Sequence, residues 1–433
     1  MQSIDIYNFR CYEHLSVDFK KGINLLIGDN ASGKTSLLMA CKYVLGSFFS
    51  GFSDENTKWE SPRTNDFHNV QTAGGTPMGN YPIELSFVQD NLFQGAAGTY
   101  SVKKNSKKNS KALVSGLSEY KAAAKQLLKN YYLVADGRAT MTQALPLFAS
   151  FTTEDIHTSR RIKGDQYAVV FQKPSFGYYE CLNCNGLLKY WKKRILSLAE
   201  EDDEPMELAI VNAAVLKALG PAGCNIIKDI RVRTAKKKVL YSFVDGRSVE
   251  QNILSDGYKR LVNIVTDIAF RCALLNKEFY GMMACDKTKG TVLIDEIDMH
   301  LHPLLQAKVL KALHHTFPQL QFIVTTHAPM VMTGVVNDSE NVVYRMSFDG
   351  EYTVIPVNTY GLDASQILRI VMGVPSRDSV VDARLQQLFD DIDEDKREAA
   401  LSTLNEMTVQ FGDTLPELAR AKAMLDFSVE KDD

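Results

Sequence analysis

Residues Thr291–Pro303 read TVLIDEIDMHLHP, and the first of them decide the fold class. Val292, Leu293 and Ile294 form an unbroken apolar run, the pattern of a strand buried on both faces of a parallel sheet. The run stops at two carboxylates, Asp295 and Glu296, and Asp298, His300 and His302 follow closely. Carboxylates at the carboxyl edge of a buried strand are costly unless they hold a cation or a reacting water. The stretch is therefore either an unusually polar strand end or half of a nucleotide site, whose other half must lie elsewhere in the chain.

Gly28, Asp29, Asn30, Ala31, Ser32, Gly33, Lys34 and Thr35 supply it, matching GxxxxGK[ST] at every fixed position. The apolar run Ile23–Ile27 feeds the loop. From Ser36 to Leu45 a helical pattern follows, with Leu37, Leu38, Cys41, Val44 and Leu45 on one side. Glycines let backbone N–H groups wrap phosphates, Lys34 can reach the β and γ oxygens, and Thr35 can hold magnesium. Asp295 adds the carboxylate that orients such an ion, and Glu296 can polarise an attacking water. His327 ends a second buried run, FIVTTH, and should emerge on the edge that carries Asp295. A fourth piece is LSDGYKR, Leu254–Arg260. Its Ser255 and Gly257 at a helix N-terminus make an anion site, and equally an ordinary capped helix with Ser255 or Asp256 as cap.

The chain has 433 residues, 45% hydrophobic and 23% charged, which predicts a soluble globular protein with roughly two to four domain-sized units. Its formal charge of −3 excludes a global basic field for nucleic acid. No apolar run is long enough to span a membrane, and the start lacks a signal-peptide core, so a cytoplasmic protein is expected. Seven scattered cysteines read as reduced thiols. Cys181 and Cys184 form a lone CxxC without the further ligands a zinc knuckle needs.

The N-terminus alternates as two antiparallel strands over residues 4–19. Phe52–Asn80 reads as a long surface excursion, Tyr81–Val88 as a strand, and Lys103–Lys111, with five lysines in nine residues, as an exposed loop. Ser118–Val134 looks helical and Leu145–Phe151 is a core strand. From Ile230 strands and helices alternate, arguing for an α/β core with a largely parallel sheet. The tail from Leu362 repeats helical spacing at Val381, Leu385, Leu388, Phe389 and Ile392, and again at Leu415, Leu418, Ala421 and Leu425.

The order GDNASGKT, LSDGYKR, VLIDEID, IVTTHAP resembles the ABC-type ATPases of the SMC and RecF group, in which LSxG is the signature. The resemblance implies that Ser255 and Gly257 of one subunit complete the site of another, and that Asp298 lies where subunits cross. It also places Asn8 and Arg10, in IYNFRCYEHLSVDF, near the nucleotide. Asp256 stands where many members carry a second glycine. Gln89 and Gln172 are weak candidates for the group's Q-loop glutamine. The 221 positions from Lys34 to Ser255 hold no sustained heptads, which excludes a long coiled-coil arm. DEIDMHLHP, FPQLQFIVTTHAP and the tail YGLDASQILRIVMGVPSR are similar to stand-alone ATPases of bacterial antiviral defence operons, the Septu and PARIS type.

The expected fold is therefore an α/β ABC-type P-loop ATPase head. It should have a mixed, largely parallel core sheet, an antiparallel β lobe, an inserted α/β region and a C-terminal helical tail. The expected division is 1–47 and 230–345 for the ATPase lobe, 48–229 for an insertion without a long coiled coil, and 346–433 for the tail. The cofactors are ATP and Mg2+, with Thr35 and Asp295 at the metal, Glu296, His327 and Lys34 catalytic, and residues 28–35 with Ser36 on the phosphates. Expected partners are a second head or a higher assembly up to a hexamer, a separately encoded nuclease or toxin effector, and a phage-derived trigger. Nucleic acid stays open as a ligand. The alternatives are a RecF-like DNA-repair ATPase and a nucleotide-gated scaffold with little turnover. His300 and His302 read as interface or packing residues rather than zinc ligands.

Overall fold

A computed structural model describes residues 1–71, 77–79, 82–93, 95–105, 117–131, 134–135, 138–139, 143–153, 173–184, 187–201, 205–375 and 377–429. They fall into two units, Met1–Ala364 and Ser365–Asp433. In the first, alternating burial makes a hairpin of β1 (Ser3–Phe9) and β2 (Tyr12–Asp18). The wholly buried β3 (Ile23–Ile27) then runs into a glycine-rich loop and α1 (Lys34–Gly46). Strands β4 (Ile83–Gln89) and β5 (Gly98–Lys104) complete an antiparallel sheet in the order β2–β1–β4–β5. Helix α2 (Ser118–Tyr131) and strand β6 (Leu147–Phe151) follow, then α3 (Leu188–Leu198) and α4 (Met206–Leu219). A three-stranded antiparallel sheet of β7 (Ile227–Arg233), β8 (Lys238–Phe243) and β9 (Ser248–Glu250) precedes the long α5 (Asp256–Tyr280). The chain continues through β10 (Gly290–Ile294), α6 (Pro303–Thr316), β11 (Leu320–Thr325) and the hairpin β12 (Val342–Asp349) and β13 (Glu351–Pro356).

The core sheet runs β6–β10–β11–β3–β12–β13, parallel throughout except for the last pair. Phe151, Ile294, Val324, Leu25 and Val343 stand in one row across its five parallel strands. β6 and β10 end at this row, and β11 and β3 run one and two residues past it, so the loops leaving β10, β11 and β3 meet at one edge. Apolar runs rather than alternation mark β3, β10 and β11 because both of their faces are covered. The fold is thus α/β with a mixed, largely parallel sheet and separate antiparallel sheets, as expected.

The structure differs from the sequence reading in three places. Strand β6 sits at the edge of the core sheet although 48–229 reads as an insertion. Strands β12 and β13 extend the sheet past residue 345, because β12 pairs with β3 and β13 with β12. The polar stretch 52–80 is also not a simple surface excursion: Phe52, Asp66 and Phe67 are buried. Their burial is local and non-periodic, so composition hides it. Lys103 and Lys104 close β5, with Lys103 paired to Glu84 across the sheet at 2.8 Å, and the remaining lysines of that run lie outside the described residues.

Helix α5 is the spine of the first unit, buried without interruption from Arg260 to Asn276. Two of its charged side chains, Asp267 and Arg271, are paired with each other and with groups from outside the helix. Arg271 binds Asp267 on the same helix and donates to the Gly177 and Tyr179 carbonyls at 2.7 and 3.1 Å. Trp191 Nε1 donates to Asp267 at 2.7 Å, and its ring stacks on Phe270 at 4.7 Å. Burial opposes the charge of Arg271, and Asp267 with Cys184 and Cys181 outweighs it, raising the pKa. Removing one partner of a buried pair strands the other. Arg271→Leu is expected to destabilise this unit by about 3–5 kcal/mol, read as a lower urea midpoint, and an unchanged midpoint would refute the pair's importance. Cys181 and Cys184 are buried beside this arginine, and Cys184 Sγ lies 2.9 Å from the Cys181 carbonyl.

In the second unit α7 (Ser379–Asp393), α8 (Arg397–Phe411) and α9 (Pro416–Val429) bury Leu385, Leu388, Leu404, Met407, Leu418 and Leu425 together. Val381, Phe389, Ile392 and Leu415 pack around them, at the helical spacing read from the sequence. Among the described residues, no helix is long and apolar enough to cross a membrane.

Candidate nucleotide site

Three neighbouring strands deliver the site. From β3 the chain turns at Gly28, φ 146°, passes Ala31, φ 64°, and Gly33, φ 96°, and enters α1. A Cβ on Gly28 would stand 2.1 Å from the Met346 carbonyl on β12, so only glycine fits there. Lys34, 6% exposed, donates from Nζ to the Gly28 carbonyl at 2.8 Å, the Asp29 carbonyl at 2.7 Å and Ser32 Oγ at 3.1 Å. Burial lowers its pKa, against the opposing charges of Asp29, Asp295 and Glu296. Thr35 is exposed, and its hydroxyl lies 3.3 Å from Asp295 Oδ2. Asp29, Asn30 and Ala31 are exposed at the tip of the loop, and Ser36 is half-buried in the first turn of α1.

Asp295 follows β10 and is nearly buried, and Glu296 beside it is half-buried with φ 48°. One residue the sequence reading passed over orders both. Thr325, at the end of β11, donates to Asp295 Oδ1 at 2.6 Å and accepts the Glu296 N–H at 2.8 Å. Its register makes this possible: Ile294 pairs with Val324, so Asp295 and Thr325 stand side by side. Thr326 repeats the device, donating to Asp298 Oδ1 and accepting the Ala328 N–H at 3.0 Å. His327 follows, half-buried, two residues beyond β11, the strand that lies between β10 and β3. The doubled threonine of IVTTH was the available signal.

The LSDG segment packs against the loop that follows β10. Ser255 is the N-cap position of α5, yet its hydroxyl makes no capping bond, and both Ser255 and Asp256 are exposed. Gly257 is buried, and a Cβ there would stand 2.3 Å from the His300 carbonyl. Arg260, also buried, donates to the Asp295 carbonyl and reaches Met299 Sδ at 4.0 Å. Within one chain, then, this segment is fastened to the loop 295–300. His302 caps α6 by accepting the Leu304 N–H at 3.4 Å, with Pro303 in the first turn. That gives His302 a helix-capping role of its own.

Asn8 lies near the end of β1 and Arg10 in the turn that follows it, with φ of 53° and 52°. Asn8 donates to the Pro82 carbonyl at 2.9 Å. Arg10 pairs with the buried Asp66 at 2.8 Å, and Asp66 also accepts Tyr43 of α1 at 2.7 Å. The visible work of Arg10 is thus to tie the hairpin to α1. Gln89 lines a cleft with Gly22 and Gly290, at the amino ends of β3 and β10, which is the edge opposite the Gly28 loop. It therefore does not serve as the missing glutamine, and Gln172 lies outside the described residues.

A glycine-rich loop between a buried strand and a helix, beside a parallel strand that ends in paired acids, defines a P-loop protein of the α/β class. One family model, described as "AAA domain", matches residues 3–166. A second, "AAA domain, putative AbiEii toxin, Type IV TA system", matches residues 132–333. The chain is 24% identical over 422 residues to the "Retron Vc95 probable ATPase" of Vibrio cholerae serotype O1 biovar El Tor, covering 86% of this chain and 78% of that one. To the "Septu protein PtuA" of Bacillus mycoides (strain KBAB4) it is 23% identical over 345 residues, 78% of this chain and 39% of that one. Among solved structures, the SMC head bound to the C-winged helix domain of ScpA aligns at a TM-score of 0.47 with 15% identity, over 82% of this chain and 97% of that one. The chain is thus related to the SMC/RecF-like ATPases of bacterial defence operons, the group its motifs resemble.

Proposed function

We propose that this chain binds Mg2+-ATP between two copies, hydrolyses it, and through its nucleotide state controls a separately encoded nuclease or toxin effector of an anti-phage defence complex. One observation carries the ATP part: Lys34, Thr35, Asp295, Glu296 and His327 are delivered by three adjacent strands to one sheet edge. Thr35 and Asp295 fit a magnesium ion. They are hard oxygen donors 3.3 Å apart, one exposed hydroxyl and one nearly buried carboxylate. When bound with ATP, the ion supplies neutralisation of phosphate charge.

The residues of the chain do the rest. Backbone N–H groups of the loop and Lys34 hold the phosphates, and Glu296 accepts a proton from the attacking water. His327 donates to the γ-phosphate as charge moves toward the leaving oxygen. Ser255 and the N-terminus of α5, with an exposed hydroxyl unused in capping, face the phosphates of a second copy. In that arrangement Asp298 lies at the crossing between copies. Thr325→Val keeps side-chain shape and removes both hydrogen bonds to the acids. It is expected to leave ATP affinity within about twofold and to lower turnover about tenfold or more, as one or two hydrogen bonds imply. Thr325→Ser should restore the rate, and full turnover in the valine variant would show that the hydroxyl orients nothing.

Support for the defence role is the likeness to the retron and Septu proteins along most of this chain. A cytoplasmic complex triggered by a phage product fits that likeness. Purification of the chain with the products of its neighbouring genes, followed by mass measurement and phage plating, tests it. A copurifying nuclease or toxin and lost protection on deletion are expected. A chain that purifies alone and leaves plating unchanged on deletion overturns the effector role.

A further inference from the structure

Tyr12 reaches the phosphate loop from the other sheet. It opens β2 and is fully buried, and its hydroxyl donates to the Gly33 carbonyl at 2.7 Å. That carbonyl also accepts the Leu37 N–H at 3.0 Å, the first hydrogen bond of α1, so both its lone pairs are engaged. Gly33 has φ 96°, and a Cβ there would stand 2.3 Å from the Tyr12 hydroxyl oxygen. The phenol fills the space that only a glycine leaves. Behind it the Tyr12 ring meets Tyr352 edge-on at 5.1 Å, and Tyr352 packs on Phe348 at 4.6 Å. Both belong to the β12–β13 hairpin, whose Met346 carbonyl abuts Gly28 at the other end of the loop.

Peptide planarity turns this contact into a constraint on the site. The Gly33 carbonyl and the Lys34 N–H belong to one rigid unit and point in opposite directions. Holding the carbonyl from outside therefore aims the Lys34 N–H into the concave side of the loop, where such loops bind phosphate. Without Tyr12 the Leu37 N–H alone would hold that carbonyl, beside a glycine whose backbone is intrinsically free.

The geometry points to Tyr12 as a positioning residue for the nucleotide phosphates, its hydroxyl locking the Gly33–Lys34 peptide while Tyr352 holds the phenol in place. The assignment rests on Gly28–Ser36 being an ATP site. Burial pushes the hydroxyl's pKa far up, so it stays a donor at any assay pH.

Tyr12→Phe removes one oxygen and keeps the ring. Calorimetric titration of Mg2+-ATP into the full chain is expected to give a Kd about tenfold weaker, the worth of one buried hydrogen bond. Turnover at saturating ATP should stay within about twofold, a KM effect without a kcat effect. Amide exchange at 33–36 should quicken while that of β4 and β5 does not change. Tyr352→Leu leaves the hydroxyl but removes its backing, and it should weaken binding about threefold. It also serves if the phenylalanine variant does not purify folded. Lys34→Ala separates the two ways of failing. Wild-type affinity in Tyr12→Phe, or equal losses in KM and kcat, alongside weakened binding in Lys34→Ala overturns the role of Tyr12 alone. Undiminished binding by Lys34→Ala overturns the site and the assignment with it.

Discussion

A chain carrying Glu296→Gln is expected to bind ATP at least as tightly as the wild type and to release phosphate about 1000-fold more slowly, the usual worth of a positioned general base. Gln keeps the shape of the side chain and the backbone N–H held by Thr325 Oγ1 at 2.8 Å, so the left-handed turn after Asp295 survives. What is lost is the carboxylate proposed to take a proton from water. Glu296 also acts on Lys34, whose pKa its charge helps to raise against burial. Removing that charge leaves the site less negative and favours an anionic ligand. If two copies clamp the nucleotide, the variant should also remain longer in the ATP-bound assembly, visible as a higher mass with ATP than with ADP. Phosphate release and calorimetry on the same preparation decide the matter: turnover within about threefold of wild type removes Glu296 from the mechanism. Plating assays add a separate answer. Protection that persists without turnover would mean that binding, not hydrolysis, carries the signal.

The parts of this molecule that were legible in the sequence are those with a strong local pattern. Ile23–Ile27 and Thr291–Ile294 are apolar because both faces of their strands are covered, and this same burial made them readable. The tail helices were legible because one face packs, so Leu385, Leu388, Leu418 and Leu425 recur at helical spacing. Contacts across sheets left no such trace. Tyr12 meets Gly33 only because β2 folds back beside the loop, and Asp66 meets Arg10 and Tyr43 from a stretch whose composition reads as surface. The tie of Arg10 to Asp66 left no mark in the local pattern of either residue. Thr325 could have been found by asking what stands beside Asp295 in a parallel sheet, since register alone places it there.

Lys34→Ala is expected to weaken ATP binding at least 100-fold while the chain remains folded. The ammonium lies almost buried against three acceptors at 2.7, 2.8 and 3.1 Å, one for each of its protons. Two of these are neutral carbonyls, which phosphate oxygens carrying negative charge displace as partners. Hydrogen bonds to a charged group are worth about 1.5–3 kcal/mol each, so two phosphate contacts account for a loss of this size. The carboxylates add to it: Asp29, Asp295 and Glu296 all act on Lys34, and without it an anionic ligand meets them uncompensated. Helix α1 should tolerate the change, since Ala is a strong helix former and Leu37, Leu38, Cys41 and Val44 still bury its core side. Thermal melting separates the two effects. Without nucleotide the variant should melt close to wild type, and the rise in Tm that saturating Mg2+-ATP gives the wild type should vanish. Lys34→Arg should not restore it, because a planar guanidinium cannot occupy the compact pocket formed by Gly28, Asp29 and Ser32. An ATP-dependent rise in Tm that survives in Lys34→Ala would place the nucleotide elsewhere and dissolve the assignment of the whole sheet edge.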